Sequence, residues 1–110
     1  MAPVLNAVKR YKAREVLSAS PAKLVLYVYD HIIQQCLKED AIKASKAIAL
    51  LIDSLDFEYG EISSGLFRLY EYAMRMVWEG EFDIVLRMFR ELRDTWQEAL
   101  SKSQLGRAIA

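Results

Sequence analysis

The sequence predicts an all-α protein: an antiparallel up-down-up-down four-helix bundle with an N-terminal arm. Three observations carry that prediction. Only two prolines and four glycines interrupt the 110 residues, which leaves long segments with apolar residues at helical spacing. No Asn-Gly or Asp-Gly pair marks a hairpin anywhere in the chain. The connections between the helical segments are short, so sequential helices fall as antiparallel neighbours.

Residues 1–19 precede the bundle as an arm. It is basic through Lys9, Arg10, Lys12 and Arg14, and it also carries Leu5, Val8, Tyr11, Val16 and Leu17. Such a segment is either a disordered tail with scattered hydrophobes or an arm that packs on the bundle, and the apolar residues favour packing. Ser20 followed by Pro21 opens the first helix, because proline at the first helical position loses no hydrogen bond. That helix is expected to reach about Lys38. Asp40 caps the second, which ends near Leu55, and Asp56–Gly60 forms a turn. The third runs from about Glu61 to Glu79, where Gly80 ends it. Asp83 opens the fourth, which continues to about Ser103, so the bundle spans 20–103 and 104–110 form a fraying tail.

Laid out at 100° per residue, the first helix carries a core face of Leu24, Val25, Val28, Tyr29, Ile32 and Cys36. A second stripe, Leu26, Ile33 and Leu37, widens its apolar arc to roughly 240°, against the ≳100° that a bundle helix needs. The third helix repeats this pattern. Ile62, Leu66, Leu69, Tyr70, Ala73 and Val77 form the core stripe, with Phe67, Met74 and Trp78 beside it. The fourth is conventionally amphipathic: Ile84, Val85, Met88, Phe89, Leu92, Trp96 and Ala99 face inward, while Arg87, Arg90, Asp94 and Glu98 face water. The second uses Ala41, Ala44 and Ala47, small enough for close helix approach. The surplus stripes are either extra core on tilted helices or a surface for a partner. Six large apolar side chains, each worth roughly 1.5–3 kcal/mol when buried, favour the partner.

Composition narrows the function classes. A formal net charge of zero argues against nucleic-acid binding. The single cysteine, Cys36, excludes a disulfide framework and fits a reducing, cytoplasmic setting. Lys23, Asp30 and Lys38 interrupt the most apolar segment, so stable membrane insertion is not expected. No secretory leader pattern opens the sequence. His31 and Cys36 stand five residues apart on one helix, at well-separated angles, so they form no nucleophile–base pair. No inward Glu-x-x-His pair or glycine-rich phosphate loop is present. No catalytic residue, metal site or cofactor is expected.

Three stretches, in order, resemble the flagellar secretion chaperone FliS family. The run YKAREVLSASPAKLVLYVYDHII presents Tyr11, Val16, the helix start Ser18-Ala19-Ser20-Pro21, then Leu24, Leu26 and Tyr29-Asp30. His31 stands where that family usually has a small residue. SLDFEYGEISSGLFRLYEYAM is similar to the family's Leu-Asp, Gly-Glu-Ile and Leu-Tyr-x-Tyr pattern through Leu55-Asp56, Gly60-Glu61-Ile62, Leu69-Tyr70 and Tyr72. LRDTWQEAL resembles its last-helix tryptophan motif, with Trp96. The similarity extends from about Tyr11 to Leu100.

The resemblance implies a cytoplasmic four-helix chaperone that is not an enzyme. Its client is the C-terminal segment of flagellin, kept from premature polymerisation and delivered to a component of the type III export gate. It also implies that the N-terminal arm covers surface which the client takes over. On the helical wheel, Leu26, Ile33, Leu37, Phe67, Met74 and Trp78 are the client-binding candidates, with Leu5, Val8, Tyr11, Val16 and Leu17 as the covering arm. Such a chaperone is expected as a monomer or weak dimer. The rival reading is a structural or adaptor bundle that self-associates, or lies on a membrane surface through its basic arm.

Overall fold

The computed structural model describes residues 21–109, so the arm lies outside the described residues. The described chain is all-helical, with four α-helices and no strand among the described residues. The helices are α1 (Pro21–Leu37), α2 (Ala41–Asp53), α3 (Glu61–Trp78) and α4 (Phe82–Ile109), with a 3₁₀ turn at Phe57–Tyr59. α1 packs on α2 and α4, and α3 also packs on both. This pairing is compatible with a helical bundle.

The helix ends follow from local chemistry. After α1, Glu39 takes a left-handed φ of 54°, and the Asp40 N–H reaches back to the Gln35 carbonyl at 2.9 Å. That is the closing bond of a Schellman turn, here made without the usual glycine. Asp40 then caps α2, its carboxylate accepting from the Lys43 N–H at 3.0 Å. The α3–α4 connection repeats the Schellman geometry with the residue that suits it best: Gly80 has φ 79°, and the Glu81 N–H bonds the Met76 carbonyl at 2.8 Å. α2 ends at Asp53, two residues before the expected Leu55, as the Ser54 hydroxyl donates to the Leu51 carbonyl at 2.8 Å. α4 starts at Phe82 and runs past the expected Ser103 to Ile109, with Glu98 and Lys102 paired one turn apart at 3.1 Å.

The core centres on Tyr29, which is fully buried. Its ring meets Phe89 edge-on at 5.4 Å and Trp96 at 6.3 Å, and Tyr70 stacks on Phe89 at 6.2 Å. Ile32 and Cys36 from α1, Ile48 from α2, Val77 from α3 and Val85 from α4 complete the most deeply buried set. Ala44 and Ala47 are buried and keep α2 close to its neighbours. Three residues expected in the core are exposed instead: Ile62, Leu69 and Ala99. Ile62 and Leu69 sit roughly 80–100° round α3 from Tyr70, on its flank rather than its inner face. Near the start of α3 the buried position is Ser63, whose hydroxyl donates to the Asp56 carbonyl.

Candidate functional site

The structure places the six surface candidates in different environments. On α1, Leu26 is half-buried, Ile33 is only 8% exposed and belongs to the core cluster, and Leu37 is 54% exposed. Asp30 lies on the same edge of α1 and forms an ion pair with Arg93, which sets α4 along that edge. On α3, Met74 packs against the core from its margin, and Phe67 is half-buried with its ring edge-on to Phe57 at 6.0 Å. Trp78, the last residue of α3, is 61% exposed. The two stripes therefore do not form one continuous open surface. Each has a member turned inward and a member at the helix end left in solvent.

Apolar surface also lies where the wheel did not put it. Phe57 in the 3₁₀ turn and Ile42 on α2 are exposed. Between α3 and α4 a groove of about 220 Å³ is lined by Leu69, Met88, Glu91, Leu92 and Thr95. Leu69 is 42% exposed there, and Ile62, one heptad earlier, is 68% exposed. The seven-residue spacing of Ile62, Leu69 and Met76 was present in the sequence as the signal for this flank. Phe57 carried no such signal, because a turn residue has no periodicity.

The electrostatics of the interior are quiet. Burial pushes the Cys36 thiol up to about 11, so it is protonated at neutral pH and a poor nucleophile. His31, on the same helix, is exposed whereas Cys36 is buried, so the structure does not bring the two together. The Tyr29 and Tyr70 hydroxyls are raised above the ordinary tyrosine value, in both cases chiefly by burial. No group of three or more His, Cys, Asp or Glu among the described residues could hold a metal ion. No helix among them is long and apolar enough to cross a membrane.

What this geometry offers is apolar contact. A protein family described as "Flagellar protein FliS" matches residues 37–103. That span takes in α2, α3, both adjoining turns and the part of α4 that packs on the core; it begins at the last residue of α1, so the motifs around Tyr11 to Asp30 lie outside it. No curated protein and no solved structure matches the chain. With more than half of the sequence matched, the chain belongs to the FliS family of flagellar proteins.

Proposed function

We propose that this protein is an export chaperone for flagellin. It binds the disordered C-terminal segment of the client in the cytoplasm, prevents its premature polymerisation, and delivers it to a component of the flagellar type III export apparatus. Membership of the FliS family supports a flagellar chaperone role in general. The observation that carries the finer reading is the set of large apolar side chains left in solvent, among them Leu37, Phe57, Ile62, Leu69 and Trp78. Exposed apolar surface on this scale is what a segment that folds on its partner requires.

In this reading the helices form an antiparallel up-down-up-down bundle, which acts as a rigid template for the client. Residues 1–19 are an arm that covers part of the client surface through Leu5, Val8, Tyr11, Val16 and Leu17. Leu37 and Trp78 are the candidates that offer most contact area to the client; Leu26, Phe67 and Met74 lie at its margin, and Ile33 supports it from beneath. Ordering the client costs several kcal/mol, which apolar burial offsets.

The test is calorimetric titration with a synthetic peptide of the C-terminal segment of the source organism's flagellin, repeated at several temperatures. The expected result is one-to-one binding with a negative heat-capacity change. Absence of binding, together with self-association in sedimentation, overturns this reading in favour of a bundle that buries its apolar surface against itself.

A further inference from the structure

We propose that α3 pairs with the α3 of a second copy of this chain, antiparallel, across a two-fold axis at Leu69, and that Glu61 of each copy meets Arg75 of the other. The pairing uses the exposed flank of α3 and needs no client, so its test is separate from that of the chaperone reading. A two-fold axis demands a surface complementary to itself, because each residue ahead of the axis meets one at the same distance behind it. The α3 flank meets that demand. Ile62 stands seven residues before Leu69 and Met76 seven after it, so in an antiparallel pair Leu69 faces its own copy and Ile62 faces the partner's Met76. Ile62 and Leu69 are exposed, and Met76 is half-buried.

With Ile62, Leu69 and Met76 at one seam position of a heptad, Gly65 and Tyr72 fall at the other. Gly65 is four residues before the axis and Tyr72 three after it, so each Tyr72 meets the partner's Gly65. That match is steric. A Cβ added at Gly65 would meet nothing within 4 Å, which leaves open space for a ring. Tyr72 is exposed, with the Arg75 guanidinium over its ring at 5.7 Å. Beside Leu69, the groove of about 220 Å³ has the volume of roughly seven waters and receives the partner's Leu69.

Charge selects the antiparallel direction. One edge of the seam carries Glu61, Arg68 and Arg75, all exposed. In an antiparallel pair this edge faces itself, and Glu61 comes within about 3 Å, along the helix axis, of the partner's Arg75. Symmetry makes that pair twice. In a parallel pair the same edge would face Leu66 and Ala73, which carry no charge. Among the described residues neither Glu61 nor Arg75 forms an ion pair, so both are available to a partner. The two Arg68 side chains meet near the axis, and this like-charge contact, with one helix face per copy, keeps the dimer weak.

Sedimentation equilibrium of the full chain, from micromolar to about millimolar concentration, measures the pairing, with circular dichroism to check that each variant stays folded. The wild-type chain is expected to pass from monomer to dimer over this range. L69R sets two like charges on the axis and is expected to weaken association at least about tenfold. E61R and R75E each put like charges at both pairing points and are each expected to weaken it about tenfold. The double variant E61R/R75E restores opposite charges in exchanged positions and is expected to return to within about twofold of wild type. This swap keeps the proposal testable should L69R fail to fold. A wild-type chain that stays monomeric at the highest concentration overturns the proposal. So does a dimer that E61R and R75E leave unchanged, or one in which the double variant associates no more tightly than either single variant.

Discussion

The hydroxyls of Tyr29 and Tyr70 lie 2.7 Å apart in the buried interior and join α1 to α3 across the core. Two polar atoms in an aromatic cluster are tolerable because each satisfies the other. Removing one therefore costs more than removing both. Y70F, or Y29F alone, is expected to destabilise by about 1–2 kcal/mol, because the remaining hydroxyl is desolvated without a partner. The double variant should lose clearly less than the sum. Urea unfolding of the four proteins measures this coupling, and strict additivity would show that the contact contributes nothing.

The same buried groups set the alkaline limit of stability. Tyr29, Tyr70 and Cys36 all hold their protons more tightly folded than unfolded, mainly because burial disfavours the charged form. For each, the stabilising contribution is complete below the unfolded pKa and is lost as pH rises through the folded one. Cys36 starts from an ordinary value of 9.0 and rises to about 11, so its share fades between those values. The tyrosines start from 10.0 and contribute loss above it. The urea midpoint should stay level with respect to these groups from pH 7 to about 9 and then decline, less steeply in C36A and in the double Tyr→Phe variant. Iodoacetamide should label Cys36 only as fast as the protein opens.

The helices were legible because period and punctuation agreed: Asp40, Gly60 and Gly80 all stand at helix ends in the structure as in the sequence. The surface was harder to read. A helical wheel gives the angle of a side chain but not the distance to the next helix. Ile33 and Met74 each stand four residues after a buried tyrosine, about 40° round the helix, and that is near enough to the core axis for both to pack inward. Ile62 and Leu69 diverge further from Tyr70 and stay in solvent. The outcome at each position depends on how closely the neighbouring helix approaches, which no single-helix pattern contains.

Gln35 is an unresolved cost in the interior. It is buried, and its Oε1 has no hydrogen-bond partner among the described residues. Replacing the amide with an apolar group of similar length removes that penalty, so Q35M is expected to raise stability by about 1 kcal/mol. A loss of stability in thermal unfolding would mean that the amide is hydrogen-bonded in solution, for instance through a buried water.

Deletion of residues 1–12 separates an arm from a core element. If these residues cover client surface, the shortened chain keeps its helical signal and cooperative unfolding while its affinity for the flagellin peptide rises, since no internal segment competes. The competing segment lowers apparent affinity only by the fraction of time it occupies the site, so a change of a few-fold is the expected scale. A deletion that unfolds the protein would make the arm part of the core.

Ile33 and Trp78, one buried and one exposed among the client-surface candidates, should separate stability from affinity. Ile33 is a member of the core cluster, so I33A leaves a cavity and is expected to cost about 2–4 kcal/mol of stability. Trp78 is mostly in solvent at the end of α3, so W78A should change stability by no more than about 0.5 kcal/mol. In binding the order reverses. Large exposed aromatics are the usual anchors of an interface, so W78A should weaken the peptide complex about tenfold or more, whereas I33A should act on binding only through the folded fraction. Denaturant unfolding and calorimetric titration of the two variants give both quantities. A W78A protein that binds with wild-type affinity would remove Trp78 from the client surface and leave Leu37 as the most exposed of the candidates.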